Sequence, residues 1–429
     1  MTHILSARPV AHNCFRDLQT VEARAAAPAK LTRPASLSFA ATAAVIVLVA
    51  INLRPGIVSI GPLLPHIRQE FGISNAQASL LTAIPAMLMG LLAFPTPWLA
   101  HKLGRDKVIL IALVGLMLTT TLRALSGSIG MLLASTFGVG AGIAIVGALI
   151  PGFAKKTFPR HAAVLMGIYA MSLGLGSTLA AGLTEPLANL SGGWRFSSGV
   201  FALPCFVAIA AWLVVARTER GLKLLATESP QVTRRGLPFR KPTAWLIALY
   251  FAANNVLFFG FVSWTAPMFR EYGMSPAAAG FLLASFTAAF MVSNPLAGLI
   301  SRGEDRRVVI ALFAALALVG CTAVAISPDL LPFLFIPVIA FGVGGSFTLG
   351  MILPLDNAVD AHDANGWTAF VIGIGYFAGA LGPLLLGILR DSTGGFSIPL
   401  WILAAVAMLM VALSPFLQPH RHHRRRAGK

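Results

Sequence analysis

Long apolar stretches separated by short polar links fill the chain from residue 37 to residue 418. An α-helix needs roughly 20 apolar residues to cross the hydrocarbon core of a bilayer, and twelve of the stretches have about that length. Open strands cannot satisfy their backbone in lipid. The pattern therefore predicts an all-α membrane protein with twelve transmembrane helices. The predicted helices span residues 37–67, 76–100, 107–126, 130–153, 162–187, 196–216, 244–269, 276–300, 308–326, 330–355, 365–389 and 398–418.

The composition agrees with a membrane protein. Hydrophobic residues occupy 57% of the 429 positions and charged residues only 11%, against roughly 25% charged residues in an average soluble domain. The formal net charge of +17 would suit a nucleic-acid partner, but the charges lie almost entirely between the apolar stretches. They therefore indicate membrane topology, and we expect no nucleic-acid partner and a lipid bilayer as the surroundings.

The distribution of Lys and Arg predicts the orientation, because cytoplasmic links retain positive charge. Most of the 32 Lys and Arg residues lie in the two tails and in links on the N-terminal side of the membrane. The link after the tenth helix is an exception, since it carries Asp356, Asp360 and Asp363 without Lys or Arg. Both termini are expected in the cytoplasm, with the chain in a bacterial inner membrane. The Arg residues assigned to the opposite links are Arg68, Arg123, Arg195, Arg270 and Arg390.

The two halves of the chain repeat each other. The sequence PHIRQEFGIS at residues 65–74 returns as PMFREYGMS at residues 267–275, and FGVG at residues 137–140 returns at residues 341–344. The repeats predict two pseudo-symmetric six-helix bundles that rock about a central site. The predicted domains are a cytoplasmic tail at 1–36, a bundle at 37–216, a basic cytoplasmic linker at 217–243, a bundle at 244–418 and a basic tail at 419–429.

The link after the second predicted helix, LAHKLGRDK, resembles a cytoplasmic motif of the major facilitator superfamily. The order of helices and the long central linker are also similar to that superfamily over the whole membrane region. The resemblance implies the superfamily fold, a monomer, and a gating role for Lys102, Gly104, Arg105 and Asp106. His101 replaces an Asp of the motif and Asp106 an Arg, so the charge latch is expected to differ. The alternative is a loop whose positive charge only orients the chain.

Further sequence patterns resemble one branch of that superfamily, the cyanate and nitroimidazole permeases. They are NLRP at residues 52–55, GPLLP at 61–65, GY at 375–376, LGPLL at 381–385 and RD at 390–391. The resemblance implies a carrier of a small anionic or nitro-type organic solute. It names neither the substrate nor the direction of transport.

Arg54 lies near the middle of the first predicted helix, where a charged side chain costs roughly 3 kcal/mol on insertion scales. Its planar guanidinium offers two parallel donors to a cyanate, carboxylate or nitro group. Pro55 frees backbone carbonyls in the same turn, and Asn52 adds an amide. Asn254 and Asn255 occupy the corresponding depth of the seventh helix, so the two bundles are expected to grip one anionic or strongly dipolar ligand. Alternatively, these side chains bond helix to helix.

Tyr169 and Tyr376 lie in the fifth and eleventh predicted helices, which are partners under the repeat. Each hydroxyl is expected to reach the ligand, unless it serves packing or interface anchoring. Glu185, Asp356 and His161 are expected to be link groups at helix edges. The interior then offers no acidic group for proton coupling, so exchange, facilitated diffusion and protonation of the substrate stay open.

Enzymatic chemistry finds no support in the sequence. It contains no GxxxxGK[ST] phosphate-binding loop and no HExxH zinc motif, and its three cysteines lack metal or disulfide spacing. No cofactor and no metal are expected. The predicted function is secondary active or facilitative transport by alternating access. Two alternatives are an efflux pump for weakly polar drugs with a structural Arg54, and a channel or receptor built on the same bundle.

Overall fold

The computed structural model describes residues 38–158, 161–191, 193–223, 237–301, 305–358 and 361–417. These residues form helices joined by short links, and no β-strand occurs among them. Eleven helices are long and apolar enough to cross a membrane, and one bent pair of helices makes a twelfth. The predicted fold, an all-α membrane protein of twelve transmembrane helices, is confirmed. The predicted tails at 1–36 and 419–429 lie outside the described residues.

The twelve membrane helices are numbered α1 to α12 in chain order. The first six are α1 (Phe39–Phe71), α2 (Asn75–Leu91 with Thr96–Leu103), α3 (Arg105–Ala124), α4 (Ile129–Thr157), α5 (Ala162–Ser191) and α6 (Trp194–Val200 with Leu203–Lys223). The last six are α7 (Pro242–Glu271), α8 (Pro276–Ile300), α9 (Arg307–Ile326), α10 (Pro332–Asn357), α11 (Ala361–Gly379 with Leu381–Thr393) and α12 (Ser397–Leu413). Helix α6 thus continues beyond residue 217, the predicted start of the linker.

Helix α1 is interrupted at its centre. Regular helix ends at Ala50 and resumes at Pro55. Proline has no N–H, and its ring clashes with the preceding turn. The N–H groups of Asn52 and Leu53 instead bond three residues back, at 3.1 and 3.0 Å, in a tighter turn. Arg54 is therefore held in irregular backbone between two helical segments.

Prolines also lie beside the breaks in α2, α6 and α11. Pro95 and Pro97 flank the junction in α2, whose two parts differ in direction by 66°. Pro204 and Pro383 follow the junctions in α6 and α11. The sequence predicted each of these as one uninterrupted helix, because hydropathy measures length and apolarity and is insensitive to a local loss of backbone hydrogen bonds.

The repeated FGVG sequences pack in the same way in the two bundles. A Cβ added to Gly140 of α4 would lie 2.7 Å from the Pro85 Cα of α2. In the other bundle, a Cβ added to Gly344 of α10 would lie 2.7 Å from the Phe290 carbonyl oxygen of α8. Glycine at these positions permits close approach of helices. The contact of α4 with α2 is thus matched by the contact of α10 with α8.

Most of the contact between the bundles comes from three helix pairs: α1 with α7, α2 with α11, and α5 with α8. Two of the contacts bring backbones together. A Cβ on Gly61 of α1 would lie 2.7 Å from the Val262 carbonyl oxygen of α7. A Cβ on Gly90 of α2 would lie 2.6 Å from the Gly373 carbonyl oxygen of α11. Small residues therefore set the distance between the bundles.

The links after α1, α3, α5, α7, α9 and α11 form one end of the molecule. It is called the outer end here, because the charge pattern predicts that it faces away from the cytoplasm. At this end the Asp391 carboxylate of α11 accepts hydrogen bonds from the backbone N–H groups of Asn75 (3.1 Å) and Ala76 (2.8 Å) and from the Asn75 amide (2.7 Å). A carboxylate at a helix N-terminus also interacts favourably with the helix dipole. The contact ties the outer ends of α2 and α11 together.

The structure changes the interpretation of two charged residues, Arg123 and Asp356, that the sequence placed in links. Arg123, expected in a polar link, is fully buried, and its Nη1 donates to the Gly56 carbonyl at 2.8 Å beside the break in α1. The link assignment was wrong because Arg123 lies in the last turn of α3, from which a long side chain can reach the bundle interior. Asp356 accepts a hydrogen bond from Arg306 Nε at 2.8 Å, so a neighbouring basic link balances part of the exceptional acidic link.

Gly344→Ala is expected to lower the thermal unfolding midpoint of the purified protein, because its methyl group would crowd the Phe290 carbonyl. Overpacking of this kind costs about 1–3 kcal/mol. Gly298→Ala is the matched control in α8, since nothing lies within 4 Å of a Cβ there. The control should leave the midpoint unchanged or raise it. Equal midpoints for the two variants would contradict the close contact of α8 with α10.

Asp391→Ala is expected to loosen the outer end, because the N-terminus of α2 loses its carboxylate partner. A Thr265→Cys probe reports this change, since Thr265 of α7 is fully buried. A membrane-impermeant thiol reagent added from outside should label the probe faster in the Asp391→Ala background. Asp305→Ala is the control, because this carboxylate bonds Arg307 at the opposite end. Unchanged labelling in both backgrounds would argue against Asp391 as a latch.

Candidate substrate-binding site

Arg54 lies in the break of α1 with only 7% of its surface exposed. Its guanidinium carbon is 5.5 Å from the centre of the Phe258 ring on α7, so the cation faces the other bundle. Arg54 Nη1 is buried and has no hydrogen-bond partner. A buried guanidinium with an unused donor is costly, and an anionic ligand would relieve that cost.

Aromatic rings of the second bundle continue from Phe258 in an unbroken series, called here the aromatic wall. Phe258 lies 4.6 Å from Phe290 of α8, and Phe290 lies 5.6 Å from Phe347 of α10. Phe347 lies 5.4 Å from Phe251 of α7, which meets Tyr376 of α11 edge to face at 6.1 Å. All four distances join ring centroids, and they fall in the range of favourable aromatic pairs. Four helices thus contribute one apolar, polarisable surface.

Tyr169 and Tyr376 complete this constellation from opposite bundles. The buried hydroxyl of Tyr169 on α5 is close enough to Arg54 and to Tyr376 to interact electrostatically with both. Gly147 of α4 stands beside the Tyr169 hydroxyl, and a Cβ there would lie 3.6 Å from the oxygen. The structure therefore brings together three of the side chains singled out from the sequence: the guanidinium of α1 and the hydroxyls of α5 and α11.

The three asparagines differ in what their amides contact. Asn52 Nδ2 donates to the Leu48 carbonyl at 2.6 Å, and its Oδ1 accepts from the Cys205 thiol at 3.5 Å, both within the first bundle. Asn255 Nδ2 donates to the Phe251 carbonyl one turn back at 2.8 Å. The Asn254 amide is fully buried, with neither its oxygen nor its nitrogen hydrogen-bonded. Of the three, Asn254 keeps free hydrogen-bonding capacity.

Asn254 also lies one helical turn before Phe258, on the same face of α7. That face carries the ring over which Arg54 is held. Asn254 is thus placed on the Arg54 side of α7 by helix geometry. Asn255 is also within one turn of Phe258, but it packs against α11, where its Cβ would be 2.7 Å from a Cβ added to Gly379.

The predicted gating loop is reduced to Gly104, because Lys102 lies in α2 and Arg105 and Asp106 lie in the first turn of α3. Gly104 has φ +88°, a conformation that favours glycine, and it allows α2 to lead directly into α3. Arg105 donates from Nε and Nη2 to Asp106 Oδ1 at 3.1 and 2.9 Å, and its guanidinium lies 4.8 Å from the ring centre of Phe153 on α4. Lys102 Nζ lies 5.3 Å from the Trp98 ring centre. These contacts bind the loop to the first bundle.

The expectation that Glu185 is a link group was wrong. Glu185 lies inside α5, with only 1% of its side chain exposed. Its Oε1 is 3.8 Å from His66 Nε2 of α1 and 3.8 Å from Arg270 Nη1 of α7, and neither carboxylate oxygen is hydrogen-bonded. The helix continues past this residue to Ser191 despite Pro186. The membrane interior therefore does contain a carboxylate, located between the bundles towards the outer end.

Sequence reasoning missed the aromatic wall as well as Glu185. Phenylalanine is common throughout these helices, so no single position stood out. Only the spacing of Phe251 and Phe258, two turns apart on the same helix face, carried a usable signal. Among the described residues, no group of three or more His, Cys, Asp or Glu side chains is arranged to hold a metal ion.

Comparison with known proteins identifies the fold and its relatives. The family model described as Major Facilitator Superfamily matches residues 39–380 and 266–429. The cyanate transport protein CynX of Escherichia coli strain K12 is 32% identical over 352 residues, which cover 82% of this chain and 90% of that protein. The 2-nitroimidazole transporter of the same strain is 29% identical over 370 residues, covering 85% and 92%.

A solved structure with the same architecture is that of a D-xylose-proton symporter. Its TM-score is 0.72 over 88% of this chain and 98% of that one, with 13% sequence identity, so the likeness concerns the fold alone. The resemblance inferred from the sequence motifs is confirmed by these matches. The protein is a multi-pass membrane transporter in which two six-helix bundles face each other, and it is not an enzyme. The chain belongs to the major facilitator superfamily.

Proposed function

We propose that the protein is a secondary transporter that carries a small anionic or nitro-type organic solute through the membrane by alternating access, with Arg54 as the counter-charge of the ligand. The observation that carries the proposal is the buried Arg54 Nη1, which has no hydrogen-bond partner. In the low dielectric of the membrane interior, a cation in this situation interacts strongly with an anion. The transported anion would supply the missing partner of Arg54 while it occupies the central site.

The fully buried Arg123 offers an internal comparison. Its guanidinium donates to the Gly56 carbonyl and also, from Nη2, to Thr136 Oγ1 at 3.4 Å, while its Nε, like Arg54 Nη1, is buried without a partner. Those contacts lie inside the first bundle and stabilise the break in α1. Arg54 instead lies at the boundary between the bundles, over a ring of α7. The two arginines therefore suggest a structural role for one and a ligand-binding role for the other.

The chemistry of the surroundings favours a small planar or linear ligand. Cyanate and 2-nitroimidazole, the solutes named for the two relatives, are of this kind, and each presents electron-rich atoms to a guanidinium. A nitroaromatic ring would also stack on the aromatic wall, where an aromatic pair contributes about 0.5–1.5 kcal/mol beyond burial. We assign Tyr169, Tyr376 and Asn254 to hydrogen bonding of the ligand. Asn52 and Asn255 do not contact the ligand in this proposal. Their side chains bond backbone carbonyls and so help to fix the shape of α1 and α7 beside the site.

The finer topology is also part of the proposal. We infer that both termini lie in the cytoplasm, since positive charge dominates the links on that side. The two bundles comprise α1 to α6 and α7 to α12, the basic segment between them is the cytoplasmic linker, and the protein functions as a monomer without a nucleic-acid partner. In this orientation Lys102, Gly104, Arg105 and Asp106 form a cytoplasmic gate element, with the Arg105–Asp106 pair fixed to α4.

One observation favours a second candidate function. The aromatic wall is apolar enough to hold an uncharged aromatic compound, as an efflux pump for weakly polar drugs would require. In that case the Phe258 ring alone stabilises the Arg54 cation, and no anion takes part. The two functions differ in what happens when the charge at position 54 is removed.

Arg54→Gln is expected to reduce anion-induced stabilisation of the purified protein, because the central site loses the charge that holds the anion. Thermal unfolding in detergent would be followed with nitrite, cyanate, small carboxylates and nitroimidazoles. At about a hundredfold excess over Kd, a ligand adds roughly 2.7 kcal/mol of stability to the wild type. Arg54→Lys should retain part of this effect, because it keeps the charge and loses the planar fork.

Uptake into proteoliposomes provides the second measurement for the same variants. Anion transport that is lost in Arg54→Gln supports the proposal. Transport of neutral compounds that persists at the wild-type rate in Arg54→Gln would favour the efflux function. Absence of solute flux with a correctly folded wild-type protein would exclude both.

Phe258→Ala is expected to weaken anion binding, because the Arg54 guanidinium loses the ring that holds it. A desolvated cation–π contact contributes about 0.5–2 kcal/mol, which corresponds to a several-fold rise in Kd. Phe258→Trp should preserve the affinity. Phe261→Ala is the control on the same helix, since Phe261 stacks on Phe286 instead. Equal Kd values for Phe258→Ala and the control would remove Phe258 from the site.

A further inference from the structure

A second concentration of positive charge lies at the outer end, far along α1 and α7 from Arg54. A cavity of about 350 Å³ opens there between the two helices, called here the outer vestibule. Its polar lining comes from Arg68 and Gln69 of α1 and from Arg270 and Glu271 of α7. Leu64, Pro65 and Pro267 form the rest of its wall.

The two arginines of the outer vestibule occupy equivalent positions in the two repeats. Arg68 follows Pro65 by three residues, and Arg270 follows Pro267 by three residues. Equivalent residues of two symmetric bundles face each other where the symmetry axis meets the surface. Each bundle therefore contributes one guanidinium to the same cavity.

Both guanidinium groups have unused donors. Arg68 Nε and Arg270 Nη1 are buried atoms without a hydrogen-bond partner. The nearest contact of Arg270 Nη1 with an acid is the Glu185 carboxylate at 3.8 Å, beyond hydrogen-bond distance. Two cations with unused donors on opposite sides of a cavity repel each other, and an anion between them would reverse that interaction.

Neighbouring acids are already occupied by other partners. The Glu271 carboxylate accepts from Arg390 Nε at 2.9 Å and pairs with its Nη2 at 2.8 Å. Glu70 accepts from the Trp194 indole at 2.6 Å and from Arg195 Nη1 at 3.0 Å. These pairs leave the charge of Arg68 to the outer vestibule, while Arg270 faces both the outer vestibule and the Glu185 carboxylate.

We propose that the outer vestibule is a second binding site for the small anion, in which Arg68 and Arg270 hold it between the bundles at the outer end. The class of ligand, a small anion, is taken from the proposed function. The location of the site is inferred from the residues that line the outer vestibule. An anion there would bridge α1 to α7. The bound anion would also compete with the Glu185 carboxylate for Arg270. Filling the outer vestibule would therefore weaken the contact that Glu185 makes between the bundles.

Gln69→Cys tests the site directly, because Gln69 is exposed and lines the outer vestibule. In a background with Cys14→Ser, the labelling rate would be measured with an anionic and a cationic thiol reagent of similar size. The anionic reagent should react on the order of tenfold faster at low salt, since a cleft of one charge sign concentrates counter-ions to that degree. Sodium nitrite should slow the labelling relative to sodium chloride at equal ionic strength.

Two control proteins make the result specific. Gly127→Cys lies exposed at the outer end, with nothing within 4 Å of its Cβ, and should show neither charge preference nor nitrite protection. Replacing both Arg68 and Arg270 by Gln should remove the preference and the protection at Gln69→Cys. Equal rates for the two reagents, or no protection by nitrite, would overturn the proposal.

Arg54→Gln separates this proposal from the function of the central site. Protection at Gln69→Cys that persists in Arg54→Gln supports a separate outer site, whatever becomes of transport. Protection that is lost in Arg54→Gln but kept in the double Arg68→Gln and Arg270→Gln variant would overturn it, because the effect would then originate at Arg54. Anion transport that persists in Arg54→Gln, with protection intact, would count against the proposed function alone.

Discussion

Backbone hydrogen bonding inside a bilayer is the constraint on which this structure depends. Irregular backbone is tolerated at membrane depth only where other parts of the protein cover and satisfy it. The break in α1 meets both conditions. Arg123 of α3 supplies a donor to the Gly56 carbonyl, and Gly176 of α5 lets that helix approach the Ile51 carbonyl closely. Because the break is supported from two sides, Arg54 can be held at the boundary between the bundles.

The same constraint distinguishes polar side chains whose hydrogen bonds are used within the protein from those that still have hydrogen-bonding atoms without a partner. Asn52 and Asn255 use their amides on carbonyls one turn back, and Asp391 uses its carboxylate on the N-terminus of α2. Arg54, Asn254 and Glu185 keep buried atoms without hydrogen bonds. Unsatisfied polar atoms are uncommon in a folded interior and call for a reason. Some, such as Trp212 Nε1, lie within one bundle, but Arg54, Asn254 and Glu185 lie where the two bundles meet, which is where a transported ligand must pass.

Much of the architecture could be predicted from the sequence because hydropathy and repetition act over long stretches. The twelve helices, the duplicated bundles and the importance of Arg54 all follow from patterns along the chain. Tyr169 and Tyr376 could be named as partners because the repeat relates their helices. The breaks in α2, α6 and α11 were missed, since hydropathy does not register the loss of a few backbone bonds.

Properties that depend on side-chain direction were also missed. Whether Glu185 belongs to a link or to the interior depends on how far α5 extends and on which helices face it. The burial of Arg123 was hard to predict for the same reason, because a side chain in the last turn of a helix can point either to solvent or into the bundle. The aromatic wall arises from four helices whose rings meet only after packing. Hydropathy registers the apolar character of these positions but not which of them become neighbours.

The close contact of Gly90 with Gly373 has a mechanical consequence. Without side chains between them, the backbones of α2 and α11 can roll with little sliding at this point, as at a fulcrum. Their next close approach, of Gly387 to the Asn75 carbonyl oxygen, lies towards the outer end. A helix rises about 1.5 Å per residue, so Asn75 lies on a lever arm of about 22 Å from Gly90. A rotation of about 10° would move its tip by about 4 Å, more than the 3.1 Å that separates the Asn75 nitrogen from Asp391. Modest tilting at mid-membrane is thus amplified into complete separation at the surface.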